Sequence, residues 1–137
     1  LATQVLKNAH FTINSVDLSA HVNQISLSLT TDSPEDTAMA DNARSFLPGL
    51  NNATITVSLN ADYAASQTDA TLWAIYSGAA AVAFIIRPAA TAVSTSNPNY
   101  TGSCVLTDFG TVDGSVGDTA GQSATFQVTG DVARATS

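Results

Sequence analysis

Two stretches of the chain alternate strictly between apolar and small polar residues. Ile25-Ser26-Leu27-Ser28-Leu29-Thr30 is the first, and Ala53-Thr54-Ile55-Thr56-Val57-Ser58-Leu59-Asn60 is the second. A period of two sends alternate side chains to opposite faces, so each reads as a half-buried strand, and the two suit each other as antiparallel neighbours. Ser123-Ala124-Thr125-Phe126-Gln127-Val128-Thr129-Gly130 repeats the pattern near the end. Phe11-Thr12-Ile13 is a short extended stretch. Residues 14–19 read as a turn, because Asn, Asp and Ser bond their own backbone there. Tyr100 to Asp108 reads as a further strand, followed by a Gly/Asp-rich stretch with turns at Asp113-Gly114 and Gly117-Asp118. The run from Ala80 to Arg87 lacks alternation, which predicts a strand buried on both faces and stopped by Pro88.

One segment has a helical period. Thr68 or Asp69 caps it, and Leu72, Trp73, Ile75 and Tyr76 form its apolar face, with Trp73 as the anchor on the sheet. Gly78 is placed to end it in the left-handed conformation. Six or seven strands and one short helix predict a mainly β fold. The expected architecture is an antiparallel β-sandwich or half-barrel of two packed sheets with one short flanking α-helix. No internal repeat or linker divides residues 1–137. They read as a single domain with an N-terminal arm over 1–9, a long loop over 31–50 and a C-terminal tail over 131–137.

Composition narrows the function. Of the 137 residues only 11% are charged, against about 25% in ordinary domains. Lysine and arginine number 4, acids 11, and the net charge is −7. Four cations do not neutralise the phosphates of a gripped duplex, so specific nucleic-acid binding is excluded. The longest apolar run, Gly78 to Ile86, is far short of the ~20 residues a membrane-spanning helix needs. One cysteine makes no intramolecular disulfide framework, and no basic-then-apolar start points to a signal peptide. Ala, Thr, Ser and Asn take the place of charge. Such short neutral side chains lose little entropy when covered, which suits a surface packed against copies of itself.

Candidate chemistry is sparse. His10, His21 and Cys104 lack the spacing of a metal site, and Cys104 in a strand pattern reads as a buried, unreactive thiol. Asp108, Asp113 and Asp118 do not match a calcium loop, and turn formation accounts for them. The Asn-X-Ser/Thr triplets at Asn52 and Asn99 are ordinary in a Thr-rich chain. No serine elbow and no phosphate-binding glycine loop is present, so no catalytic, metal or cofactor residue is assigned. The loop over 31–50 is different. It carries Asp32, Glu35, Asp36, Asp41 and Arg44, fits a single helical turn over 36–44, and ends in Phe46, Leu47, Pro48, Gly49 and Leu50. Large apolar groups beside exposed charges gain little in a monomer, whereas a subunit contact buries them.

These pieces in this order resemble a family. The run Val16-Asp17-Leu18-Ser19 precedes a strand, then an acidic loop ending Ala43-Arg44-Ser45-Phe46-Leu47-Pro48-Gly49-Leu50, then Ala53-Thr54-Ile55-Thr56-Val57. After them come Asp69-Ala70-Thr71-Leu72-Trp73, Val82-Ala83-Phe84-Ile85-Ile86-Arg87-Pro88, Asn97-Pro98-Asn99-Tyr100-Thr101-Gly102 and Val112-Asp113-Gly114-Ser115-Val116-Gly117-Asp118. Over residues 10 to 130 this resembles the major tail tube protein of long-tailed, siphovirus-type bacteriophages. Capsid decoration proteins and Ig-like virion binding modules share some of these features and form the alternative.

The resemblance implies a structural, non-enzymatic virion protein of the tail, assembled in the host cytoplasm without cofactors. Six copies are implied to form a ring in which one sheet of each joins a continuous inner barrel, and rings stack into a conduit for genome ejection. Its partners are then itself and other tail proteins, such as tape measure, terminator and distal tail protein. DNA meets it only in passage, and no membrane is involved. The ring-stacking loop maps to Asp32, Glu35, Asp36, Asp41, Arg44, Phe46, Leu47 and Pro48. The residues expected to face the lumen are Ser26, Ser28, Thr30, Thr54, Thr56, Ser58, Asn60 and, at a strand end, Asp62.

Overall fold

A computed structural model describes residues 5–137, so the first four residues of the expected arm lie outside the described part. In chain order the elements are β1 His10–Ile13, β2 Val16–Asp17, a 3-10 turn Ser19–His21, β3 Val22–Thr31, β4 Asn51–Asn60, α1 Thr68–Gly78, β5 Val82–Arg87, β6 Asn99–Asp113 and β7 Gly121–Ala135. The seven strands form one sheet in the order β2-β1-β5-β6-β7-β4-β3, and every neighbouring pair is antiparallel.

The long hairpin of β6 and β7 makes this one sheet into two layers. The first part of β6 pairs with β5 as far as Cys104, while Val105–Asp113 pairs only with β7. The first part of β7 pairs with β4, and its last part runs back along the start of β6. Register shifts at Thr101/Ser103, Leu106/Asp108 and Gly110/Asp113 insert unpaired residues, which bend and twist a strand pair. Gly130 (φ 84) gives β7 a left-handed step at its change of layer, a conformation glycine adopts without strain. The result is the expected half-barrel, its two layers continuous through this hairpin. Phe11, Ile13 and Phe84 from one layer and Ile55, Val57 and Phe126 from the other fill the space between, and all are buried.

Several local features differ from the sequence reading. β5 alternates after all: Phe84 and Ile86 are buried and Val82 and Ile85 half-buried, because only one of its faces meets the core. β7 continues through Ala135, where a tail was expected, with Val132 packed against the core. No helical turn forms over 36–44; one tight turn, closed by the Asp41 N–H on the Ala38 carbonyl, and one bend stand there.

The correction at α1 has the largest consequence. Thr68, Thr71, Leu72 and Ile75 are its buried residues, spaced i, i+3, i+4, i+7. Trp73 follows Leu72 by about 100° around the axis, so it points away from the core and is no anchor. Trp73 is 54% exposed and Tyr76 58%. What fixes α1 is Gln122, fully buried on β7. Its Oε1 accepts the Thr68 hydroxyl at 2.7 Å, and its Nε2 donates to Asp69 Oδ1 at 3.1 Å and to the Thr111 carbonyl at 3.2 Å. The helix ends one residue later than Gly78, on Ala79 in the left-handed region, whose N–H donates to the Ile75 carbonyl.

Candidate assembly surfaces

One layer, β3-β4-β7-β6, turns its polar face away from the core. Its cross-strand rows follow from the register. Ser26, Thr56, Thr125 and Asp108 form one row; Ser28, Thr54, Gln127 and Val105 form the next. Gln24, Ser58, Ser123 and Gly110 form a third. The residues expected in the lumen from β3 and β4 therefore share one face: Ser26, Ser28 and Thr30 beside Thr54, Thr56, Ser58 and Asn60. Ser123, Thr125, Gln127 and Asp108 belong to the same face and were missed. The alternation over 123–130 was their signal, but nothing in it tells which strand lies beside it. Asp62 sits beyond the end of β4, where its carboxylate accepts the Ala64 N–H at 3.0 Å and lies 3.8 Å from His21 Nε2.

No cation stands on this face among the described residues. Lys7 is in the arm, Arg44 in the 31–50 loop, Arg87 on β5 and Arg134 near the end of β7, paired with Tyr100.

The same layer has two free edges. Among the described residues nothing pairs with the outer side of β3, ten residues long, nor with the outer side of Val105–Asp113. β3 carries no charge and no proline, the usual devices that keep an edge strand from pairing. Its apolar row faces the core side incompletely: Ile25 and Leu27 are half-buried, and Leu29 is 58% exposed. This row, with Leu6 and Ala9 of the arm and Ile86, Arg87, Pro88 and Tyr100, lines a groove of about 280 Å³ at the open mouth of the half-barrel.

The long loop is an ordered extension of the β3-β4 hairpin. Asp32 N–H donates to the Leu50 carbonyl at 2.9 Å, Leu47 N–H to the Pro34 carbonyl and Asp36 N–H to the Ser45 carbonyl, both at 2.8 Å. A bridge pairs Glu35 with Phe46, and Arg44 Nε lies 3.7 Å from Glu35. All of 31–50 is exposed, including Met39, Phe46, Leu47 and Leu50. The eight residues singled out from the sequence thus lie along one projecting arm, whose apolar groups the subunit does not cover.

The titratable groups elsewhere do not build a reaction centre. His10 Nε2 is 2.8 Å from the Thr12 hydroxyl and its Nδ1 4.0 Å from Asp17. Burial and the neighbouring Arg87 guanidinium hold the His10 pKa below its ordinary value, against the opposing pull of Asp17. The hydroxyl and N–H of Ser19 lower the Asp17 pKa, the hydroxyl more strongly. Cys104 is fully buried, which pushes its thiol up to about 12 and leaves it unreactive. Among the described residues no three His, Cys, Asp or Glu side chains gather as a metal site would require.

No protein-family model matches the chain, and no curated protein matches it in sequence. Solved structures do match its fold. A chain from the virion of a native gene transfer agent particle aligns with a TM-score of 0.79 at 14% identity, over 97% of this chain and 99% of that one. A chain from the tail of the empty gene transfer agent particle, of C6 symmetry, aligns at 0.69 and 14%, over 82% and 81%. The SPP1 tail tube aligns at 0.74 and 12%, over 95% and 77%. A chain of the sheath–tube complex of an extracellular contractile injection system aligns at 0.72 and 13%, over 95% and 89%. The chain has the tail-tube fold.

Proposed function

We propose that this chain is the major tail tube subunit of a long-tailed, phage-type particle, a structural protein that assembles rings and stacks them into a conduit for DNA. The observation that carries this reading is the unguarded four-stranded layer. Its strands run alternately up and down, so β3 at one edge and Val105–Asp113 at the other are antiparallel to each other. A second copy placed beside the first then continues the same antiparallel sheet, and only ring closure removes the last free edge.

This reading takes a sixfold ring, the symmetry of the gene transfer agent tail whose chain is similar in fold. Four strands from each of six copies give 24 strands. At ordinary strand spacing and tilt such a barrel is roughly 45–50 Å across between backbones, wide enough for a nucleic-acid duplex. The hydroxyl face then lines the bore, and the core and α1 lie outside it. The loop over 31–50 bridges successive rings, burying Phe46 and Leu47 on the next subunit. Terminator, tape-measure and distal tail proteins are its partners at the ends and in the bore, and no catalysis is required of it.

Negative-stain microscopy of the concentrated protein tests this. Sixfold rings or tubes are expected from the full chain. Replacing residues 33–49 with Asn-Gly, a two-residue hairpin turn, is expected to leave a folded subunit that makes no tubes. A monomeric chain that binds capsids in place of itself overturns the reading in favour of a decoration protein.

A further inference from the structure

Two incompletely covered apolar surfaces lie on the core side of the β3-β4-β7-β6 layer, at opposite edges. At the β3 edge are Ile25 and Leu27, half-buried, and Leu29, exposed, beside the groove of about 280 Å³ that Leu6 and Ala9 of the arm also line. At the other edge is the flank of α1. Asp69, Trp73 and Tyr76 are spaced i, i+4, i+7 and form one stripe along that helix. The stripe starts on the side of β6: Asp69 is held by Gln122 Nε2, which also donates to the Thr111 carbonyl on β6. Trp73 and Tyr76 stack on each other, ring centroids 5.4 Å apart, and each is more than half exposed. An isolated subunit gains nothing from leaving such a pair in water.

We infer that Trp73 and Tyr76 of one copy close over the Ile25–Leu27–Leu29 row of its neighbour, filling the mouth of that neighbour's half-barrel across the β3–β6 junction. This rests on the edge-to-edge ring proposed above. The occupant is a second copy because the two surfaces lie on the same side of one sheet at its two free edges, so joining the edges brings both to the same junction.

Trp73 is the only tryptophan, so the full chain reports directly. On assembly its emission is expected to move to shorter wavelength and its quenching by acrylamide to fall several-fold relative to the free subunit. Leu29→Lys, at an exposed position, is expected to keep the cooperative thermal transition of the subunit while raising the concentration needed for assembly at least tenfold. A mixture of Leu27→Cys and Tyr76→Cys chains treated with a short bis-maleimide is expected to give covalent dimers that neither variant gives alone. The buried thiol of Cys104 does not compete. Rings in which Trp73 stays as quenchable as in the free subunit, or in which the mixture gives no dimer, overturn this contact and leave the ring reading standing. Absence of rings under all conditions overturns both.

Discussion

At the scale of single residues, the most informative groups are those whose charge the fold opposes or favours. The folded environment lowers the pKa of both His10 and Asp17. Between the folded and unfolded values the unfolded chain binds more protons, so stability falls as pH falls. For His10 the loss begins as pH drops below the ordinary value of 6.5 and is complete below its folded pKa. For Asp17 a second loss begins below 3.8. Thermal midpoints measured from pH 8 to pH 3 are expected to fall in these two stages, and His10→Gln is expected to remove the first while leaving the second. A midpoint that rises between pH 7 and pH 5 contradicts the assignment. Gln122 is the other residue on which much depends. It is a buried amide whose Oε1 and Nε2 are both bonded, so Gln122→Leu takes a donor from the Asp69 carboxylate and the shorter acceptor from the Thr68 hydroxyl, which keeps its contacts with the Asp62 backbone. A loss of about 1–3 kcal/mol in urea unfolding is expected, as for the removal of hydrogen bonds to a neutral and a charged partner.

At the scale of elements, α1 separates folding from assembly. Leu72 is fully buried and Trp73 is not, although they are neighbours in the chain. Leu72→Ala is expected to cost the subunit about 2–5 kcal/mol in chemical unfolding. Trp73→Ala is expected to leave that value within about 1 kcal/mol, as for a surface site. This pair also marks where the sequence stopped being legible. Strands with strict alternation, β3, β4 and the first part of β7, were readable because a period of two assigns a face without knowledge of neighbours. The apolar residues of α1 were readable as a set, but Trp73 looked like an anchor because hydrophobicity alone does not say whether the covering surface belongs to the same molecule. β5 looked buried on both faces for a related reason: Ile85 is apolar and only half-covered in the isolated subunit. The end of β7 read as a tail because Asp131, Arg134 and Ala135 show no apolar period. Its backbone pairs with the start of β6, a long-range contact that local composition does not encode. The polar-face residues of β3 and β4 were legible as a pattern, whereas Asp108 and the β7 hydroxyls required the register.

At the scale of the whole molecule, the question is why so few charges remain and where they stand. The 11 acids and 4 cations are not spread evenly. The 31–50 loop has four acids against Arg44, and the polar face of the β3-β4-β7-β6 layer has neutral side chains with Asp108 and, in the row of Asn60, Asp113. On the proposed reading this face lines a bore through which a polyanion must slide. A lysine there would hold each passing phosphate and release its counterions, whereas hydroxyls and two carboxylates offer nothing comparable. Thr56→Lys tests this without touching the core, because Thr56 is exposed at the centre of the face, opposite Ser26 and Thr125. Six copies per ring then place a belt of six charges at each level of the tube. Tubes are expected to assemble as before, since the substitution lies away from both edges and from the loop. Short duplex DNA, added to tubes and followed by fluorescence anisotropy, is expected to bind the variant at low salt and not the parent. That binding should weaken steeply with added salt, as phosphate contacts do. Transfer of DNA by reconstituted particles is expected to fall in parallel. Equal DNA binding by parent and variant tubes places Thr56 outside the bore, and the hydroxyl face then has to be assigned to the exterior of the assembly.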